Sequence, residues 1–487
     1  MKIVFTTLFK EGLGGGEGRV AHELARHFAQ EHDVMLVSPA EKTGVYVRDE
    51  MQIFGIQSAG EGEFAMPALT GKTVNTLMDF LDAFEPEIVH AHEPALLGLI
   101  AQVWARMRLV PFVHTSHILP DNVLDFGTAD ALDIKLLRSS FGETVTQQLL
   151  DDFYKNCDAV IALNQPAVAS IRAFGYEGRI FVIPNGRDLS LYQACAYADS
   201  ASREKTLTFT GYLSERKNQP YLLEVMQHLP ETYHVQLIGK PLKPGYQEKL
   251  QRLCRERGVE EQVTFTGQVP YKAIPDHLER SHFFVSASKM EVQSLSVIEA
   301  LASGTPIVGL ANETIDELVD DSVGCRLPKE TSPQAFADCI RRLSSLPPDD
   351  YEQLCANAQA HVSHLSWSNV IEQTVEAYQT LIKEKRPHRE RELDRERRRL
   401  RELVSFLPDG EIKRTLLAQI KEREQGTDGP LSKFTPAMKI RALRRVPGST
   451  WFLSGLTILV SVIGYLVMKY FKPLERLKQR ERGEGDV

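Results

Sequence analysis

A chain of 487 residues with 43% hydrophobic content is long enough to bury two cores and still carry an extension. Its net charge of −8 is unevenly spread: residues 385–487 hold 24 Lys and Arg against 14 Asp and Glu, leaving 33 against 51 for residues 1–384. An acidic body therefore precedes a basic tail, and that tail lacks the interleaved aromatics of a nucleic-acid module. The six cysteines, Cys157, Cys195, Cys254, Cys325, Cys339 and Cys355, form no C-x-x-C pair and no zinc-like spacing, so reduced cytosolic thiols are expected.

The first apolar run, residues 3–9, is too short for a secretion signal and reads as a strand. It feeds Gly12-Leu13-Gly14-Gly15-Gly16-Glu17-Gly18-Arg19, which opens a helix over 19–30. A dinucleotide fingerprint is absent, because no strict G-x-G-x-x-G occurs and the second strand ends in Ser38 rather than an acid. Strand-like runs at 3–8, 33–37, 88–90, 112–114, 159–163 and 180–183 alternate with helical stretches, the pattern of a parallel doubly wound sheet. After a hinge near residues 188–202 the alternation restarts at 206–210, 234–238, 263–266, 283–286 and 306–308. Two such sheets enclose a cleft, with ligands outside the carboxyl ends of their strands.

Several motifs fall at those strand ends. His90-Ala91-His92-Glu93-Pro94 and Phe112-Val113-His114-Thr115-Ser116-His117 belong to the first half. Their spacing lacks a zinc pattern, and packed, hydrogen-bonded histidines are the competing explanation. Ile183-Pro184-Asn185-Gly186-Arg187-Asp188 contains an Asn-Gly turn. In the second half, Thr210-Gly211-Tyr212-Leu213-Ser214-Glu215-Arg216-Lys217-Asn218 places two adjacent cations after a strand, where they can neutralise a departing diphosphate. The run from Ser286 to Gly309 crosses a strand-to-helix junction at residues 289–294 and carries Glu291 and Glu299, eight residues apart. A helix starting there aims free N–H groups at the cleft, and Glu299 can accept from both hydroxyls of a ribose.

Beyond residue 386 the sequence becomes a mixed-charge helical stretch, with only Leu393, Leu400 and Leu403 as an apolar seam. Residues 451–468 are free of charge and as a helix would span roughly 27 Å, close to the hydrocarbon core of a bilayer. Trp451, Tyr465 and Tyr470 sit near its ends as interfacial anchors do.

The segment Glu291-Val292-Gln293-Ser294-Leu295-Ser296-Val297-Ile298-Glu299, followed by Ala-Leu-Ala-Ser-Gly-Thr-Pro, closely resembles the E-x7-E signature of retaining GT-B-fold glycosyltransferases of family 4. The 210–218 segment resembles that family's G-R-L-x-x-x-K-G/N motif, and the 184–188 segment resembles its P-N-G-v-D. Two positions depart from the pattern: Tyr212 replaces the arginine after glycine, and Ser294 stands where glycine is usual. The resemblance covers roughly residues 1–385.

It implies an α/β fold of the GT-B class, two Rossmann-like domains facing a cleft. Residues 1–190 would form the acceptor domain and 191–366 the nucleotide-sugar domain, with 367–385 a helix crossing back to the first domain. A charged helical linker at 386–446, a transmembrane anchor at 447–470 and a basic tail at 471–487 would follow. The catalytic residues implied are His114, Glu291 and Lys217. Donor binding is assigned to Gly15, Gly16, Arg216, Lys217, Gly239, Val269, Glu291, Gln293, Ser294, Leu295 and Glu299, and acceptor binding to His92, Glu93 and His117. No cofactor and no metal are expected, in keeping with the lack of a D-x-D triplet.

The wording around the two glutamates and the apolar tail most resemble diacylglycerol glucosyltransferases. The expected reaction is transfer of a hexose, glucose from UDP-glucose, to a membrane lipid such as diacylglycerol. The partners are thus a nucleotide-diphosphate sugar, a lipid acceptor and an anionic membrane surface, with no nucleic acid. Because nucleotide sugars are cytosolic, the catalytic body is placed on the cytoplasmic side of the cell membrane, held by a single pass. Phosphatidylinositol mannosyl transfer, cell-surface polysaccharide assembly and an inactive membrane scaffold of the same fold are the alternatives.

Overall fold

The computed structural model describes residues 1–12, 15–59, 66–120, 140–192, 198–199 and 201–385. The first sheet contains β1 Lys2–Thr6, β2 Asp33–Ala40, β3 Gly44–Arg48, β4 Met51–Ala59, β5 Met66–Pro67, β6 Ile88–Ala91, β7 Phe112–Ser116, β8 Ala159–Ala162 and β9 Arg179–Val182. Their order is β3-β4-β2-β1-β6-β7-β8-β9, with β5 on β4. Strands β4 to β9 along this path pair in parallel. Such strands are covered on both faces, which explains why Val34, Met35, Leu36 and Val37 are all buried. The order reverses between β2 and β6 about β1, and the glycine-rich loop leaves β1 at that switch point.

The edge hairpin β3–β4 has no counterpart in the sequence reading. Its turn holds Asp49 at φ 48° and Glu50 at φ 64°, two left-handed residues as a type I′ turn requires. Asp-Glu takes the place that Asn-Gly usually fills, so the turn leaves no compositional mark.

The second sheet runs β12-β11-β10-β13-β14-β15, all parallel, the strand order of a Rossmann fold. Its strands are β10 Lys205–Thr210, β11 Tyr233–Ile238, β12 Val263–Gly267, β13 Phe283–Ser286, β14 Ile307–Leu310 and β15 Gly324–Leu327. Only β15 escaped the sequence reading, since Gly-Cys-Arg-Leu is too short and too mixed to signal a strand.

A helix over residues 367–385 completes the first core: Trp367, Val370, Ala377, Tyr378 and Leu381 pack with Phe5, Leu24, Phe28 and Ile183. Trp367 lies so close to Gly186 that an added Cβ there would sit 2.2 Å from its Cε3. The two domains also meet through Asn164, whose Nδ2 donates to the Val292 carbonyl at 2.6 Å.

Two expectations need comment. Cys325 of β15 and Cys339 of the helix Pro333–Ser344 are paired as a disulfide, whereas Cys157, Cys254 and Cys355 are free and buried. Docking of that helix on β15 brings the pair together across 14 residues of sequence, a proximity no spacing rule encodes. The membrane-anchor region, the charged linker, the basic tail and Cys195 lie outside the described residues. Among the described residues, no helix is long and apolar enough to cross a membrane.

Candidate active site

The helix Leu295–Ala302 begins at Ser294, after the loop that leaves β13. Helix geometry leaves its first-turn N–H groups without intrahelical acceptors. Ser294 itself is anchored, its N–H donating to Thr314 Oγ1 at 2.8 Å. Just before this helix, Glu291 is buried and its Oε1 lies 2.5 Å from Lys217 Nζ and 3.2 Å from Arg216 Nη1. Arg216 also donates to the Met290 carbonyl at 3.0 Å, fixing the 214–218 turn against this loop. Burial alone would raise the Glu291 carboxyl, but Lys217 and then Arg216 outweigh it and hold Glu291 below its ordinary value. Burial lowers the Lys217 ammonium, opposed by Glu291. The result is an ion pair at the site where the sequence places diphosphate chemistry.

Glu299 sits one helical turn deeper. Its Oε1 lies 3.4 Å from Arg187 Nε and 3.5 Å from Arg19 Nη1. Arg19 comes from the first-domain helix Gly15–Ala29 and stacks its guanidinium 3.9 Å from the Tyr271 ring centroid. Burial raises Glu299 above the ordinary glutamate value, with Arg187 and Arg19 pulling the other way. The glycine-rich loop closes on the second domain here. An added Cβ would lie 2.9 Å from Tyr212 Cε2 at Gly15, which has φ +59°, and 2.8 Å from Leu295 Cδ1 at Gly16. Both glycines thus permit contact between domains, and Tyr212 is the residue covering the first of them.

In the first domain, histidines gather at the ends of β6 and β7. His114 Nδ1 bonds the Ala91 carbonyl at 3.0 Å and its Nε2 is buried without a hydrogen-bond partner. Burial pushes His114 down to about 4 and, with His114 beside it, His117 down to about 3. His92 Nδ1 and His117 Nε2 are 2.8 Å apart, a hydrogen bond that needs a proton on one ring and a lone pair on the other. His90 is locked behind them by the Tyr378 hydroxyl at 2.5 Å and Thr115 Oγ1 at 2.7 Å. Among the described residues, no group of three or more His, Cys, Asp or Glu is placed to hold a metal ion.

Two consecutive segments of the chain match known families. Residues 14–191 match the model for Glycosyltransferase Family 4, and residues 198–361 the one for Glycosyl transferases group 1. This chain belongs to the family 4 glycosyltransferases of the GT-B fold. It is 24% identical over 306 residues to the alpha-monoglucosyldiacylglycerol synthase of Streptococcus pneumoniae, covering 60% of this chain and 67% of that one. Identity to the D-inositol 3-phosphate glycosyltransferase of Corynebacterium urealyticum is 26% over 319 residues, covering 61% of this chain and 72% of that one. Among solved structures, sucrose-phosphate synthase from Thermosynechococcus elongatus superposes with a TM-score of 0.65 at 18% identity, over 78% of this chain and 98% of that one. Anabaena HepE in complex with UDP-glucose gives 0.60 at 19% identity, over 78% and 100%.

The chain is therefore a hexosyltransferase. Lys217, Arg216, Glu291, Ser294, Leu295 and Glu299 gather around one helix, with Gly16 against its Leu295 and Gly15 against Tyr212. Other candidate residues are already engaged elsewhere. Gln293 accepts from the Asn185 N–H at 2.7 Å and donates to the Leu163 carbonyl at 3.1 Å, so its amide ties the domains together. Glu93 accepts from Thr7 Oγ1 at 2.7 Å and from the Leu8 N–H at 2.9 Å, which fixes the loop after β1. Burial lifts the Glu93 carboxyl to about 8 against those two bonds. Gly239, at φ +144°, has backbone reasons for being glycine, since a Cβ would fall 1.9 Å from the Gly211 carbonyl oxygen. Val269 is half-buried against the second-domain core that includes Ile298 and Leu301. Sequence reasoning overlooked Arg19, Glu23, Arg187 and Tyr271 around Glu299. Only Arg187, a charge within an otherwise turn-like segment, left a trace that could have been followed.

Proposed function

We propose that this transferase moves glucose from UDP-glucose to a membrane lipid such as diacylglycerol, with retention at the anomeric carbon. The observation that carries the reading is the juxtaposition of the Lys217–Glu291 pair and buried Glu299 at the start of one helix. Lys217 and Arg216 would meet the diphosphate, the first-turn N–H groups would assist them, and Glu299 would accept from the ribose diol. Glu291 would orient the sugar, and His114 would present Nε2 to it from the first domain. The acceptor oxygen attacks the anomeric carbon on the face the donor leaves, and the bond from that carbon to the phosphate oxygen breaks. Its electron pair stays on the diphosphate oxygen, which takes the acceptor's proton. Lys217 stabilises the charge that appears there.

Glucose and diacylglycerol are favoured by the likeness to the S. pneumoniae synthase, together with the apolar run at 451–468 that would hold the body at a cytoplasmic membrane face. Purified full-length protein, incubated with membranes and a panel of labelled UDP- and GDP-sugars, tests both choices. The expected product is a labelled diacylglycerol from UDP-glucose alone, identified by mass spectrometry. Labelled phosphoinositide from a GDP-sugar would replace this reading with the mannosyl one, and no transfer from any donor would favour the inactive scaffold.

A further inference from the structure

Arg187 occupies the aliphatic position of the P-N-G-v-D pattern, yet it is a charged side chain with no exposed surface. Its backbone is clamped where the chain crosses between domains: the N–H donates to the Leu365 carbonyl at 2.8 Å, and its carbonyl accepts from the Trp367 N–H at 3.2 Å. The guanidinium faces two carboxylates from different domains. Nη1 donates to Glu23 Oε2 at 2.9 Å, on the first-domain helix Gly15–Ala29, and to the Gly186 carbonyl at 3.3 Å. Nε stands 3.4 Å from Glu299 Oε1 without forming a hydrogen bond, and Nη2 has no hydrogen-bond partner. A buried guanidinium left with unused donors is costly unless neighbouring carboxylates hold it.

We propose that Arg187 is a positioning residue that aims the Glu299 carboxylate at the donor's diol and ties it to Glu23 of the opposite domain. This rests on the reading that Glu299 holds that diol. Other groups facing Glu299 are Arg19 and Glu23 from the first-domain helix, Tyr271, and Tyr192 behind Tyr271, whose hydroxyl donates to that of Tyr271 at 3.0 Å. Burial raises Glu299, Arg187 is the first influence opposing it, and Glu23 raises it. Only an ionised carboxylate offers acceptors alone to two vicinal hydroxyls. Arg187 therefore favours the binding form, while Glu23 works against it directly and by sharing the same guanidinium.

The two partners should displace donor binding in opposite directions. Calorimetric titration of the full chain with UDP, from about pH 5.5 to about pH 8, measures this in wild type, Arg187→Met, Arg187→Lys, Glu23→Gln and Glu299→Gln. Arg187→Met should weaken UDP about ten- to hundredfold at the acid end and recover part of that loss as pH rises. Arg187→Lys should restore part of the acid-end affinity. Glu23→Gln keeps the arginine in place and should hold UDP to lower pH than wild type does. The proposal fails if Glu23→Gln follows the wild-type pH profile or weakens UDP equally at every pH, whatever the folding of Arg187→Met. Wild-type UDP affinity in Glu299→Gln would instead sink the diol reading itself. Loss of UDP in Glu299→Gln with an unshifted Glu23→Gln profile would sink the Arg187 proposal alone.

Discussion

At the histidine-bearing strand ends of the first domain, burial is met with hydrogen bonds between uncharged rings, whereas around the second-domain helix Leu295–Ala302 it is met with pairs of opposite charge. His90, His92, His114 and His117 are all pushed down by burial and bond to one another, to Tyr378, to Thr115 and to a backbone carbonyl. Glu291 lies 2.5 Å from Lys217 and 3.2 Å from the half-buried Arg216, and these cations hold its buried carboxyl below the ordinary value. The difference matches the tasks proposed for the two clusters. A leaving diphosphate needs fixed positive charge, while a sugar and a lipid hydroxyl are served by neutral donors and acceptors.

Lys217→Met strikes the charged cluster hardest. It removes the cation nearest Glu291 and should lower kcat/KM by about 10²–10³, the cost of losing a transition-state charge stabiliser. Steady-state kinetics on folded variant decide it, and near-wild-type kcat/KM would deny that cluster its catalytic part. Glu299→Gln should follow with a loss of about a hundredfold in kcat/KM, carried mainly by donor KM, since it weakens ribose binding more than the chemical step. A fall confined to kcat would move Glu299 from the ribose to the reacting centre.

In the neutral cluster, His114→Ala should cost about tenfold in kcat/KM, the value of one hydrogen bond between uncharged partners. A loss as large as that of Lys217→Met would mean that His114 carries charge during the reaction. The smallest effect concerns stability. His114 is held near 4, below the ordinary 6.5, so the folded form refuses a proton that the unfolded chain accepts. Stability from this residue is complete above about pH 6.5 and drains away as pH falls toward about 4. Thermal melts by circular dichroism should show Tm dropping over that window in wild type and dropping less in His114→Gln.

The glutamate pair, Lys217 and the histidine-bearing strand ends were legible because each is written within one short segment, next to a strand whose apolar run announces it. What surrounds Glu299 was not. Arg19 and Glu23 lie on an ordinary amphipathic helix, and Tyr271 in a short turn, so nothing local reveals that they converge with Arg187 on one carboxylate. Gln293 shows the converse problem. Its place inside the E-x7-E segment suggests a ligand contact, while the fold spends both ends of its amide on the other domain. The hairpin β3–β4 escaped for a local reason, a left-handed turn built without glycine.

The helix over residues 367–385 also says something about how the chain is made. The first domain's core counts Trp367, Val370, Tyr378 and Leu381 among its members, so the half synthesised first cannot finish its interior until nearly all of the second half has left the ribosome. At about 5–20 residues per second, the roughly 200 intervening residues impose a wait of about 10–40 s. During that wait Phe28 lacks Tyr378, the ring it stacks on at 5.5 Å in the finished fold. A fragment ending near residue 190 is for the same reason a poor candidate for expression as an independent domain, whereas grafting residues 367–385 onto it supplies the missing wall.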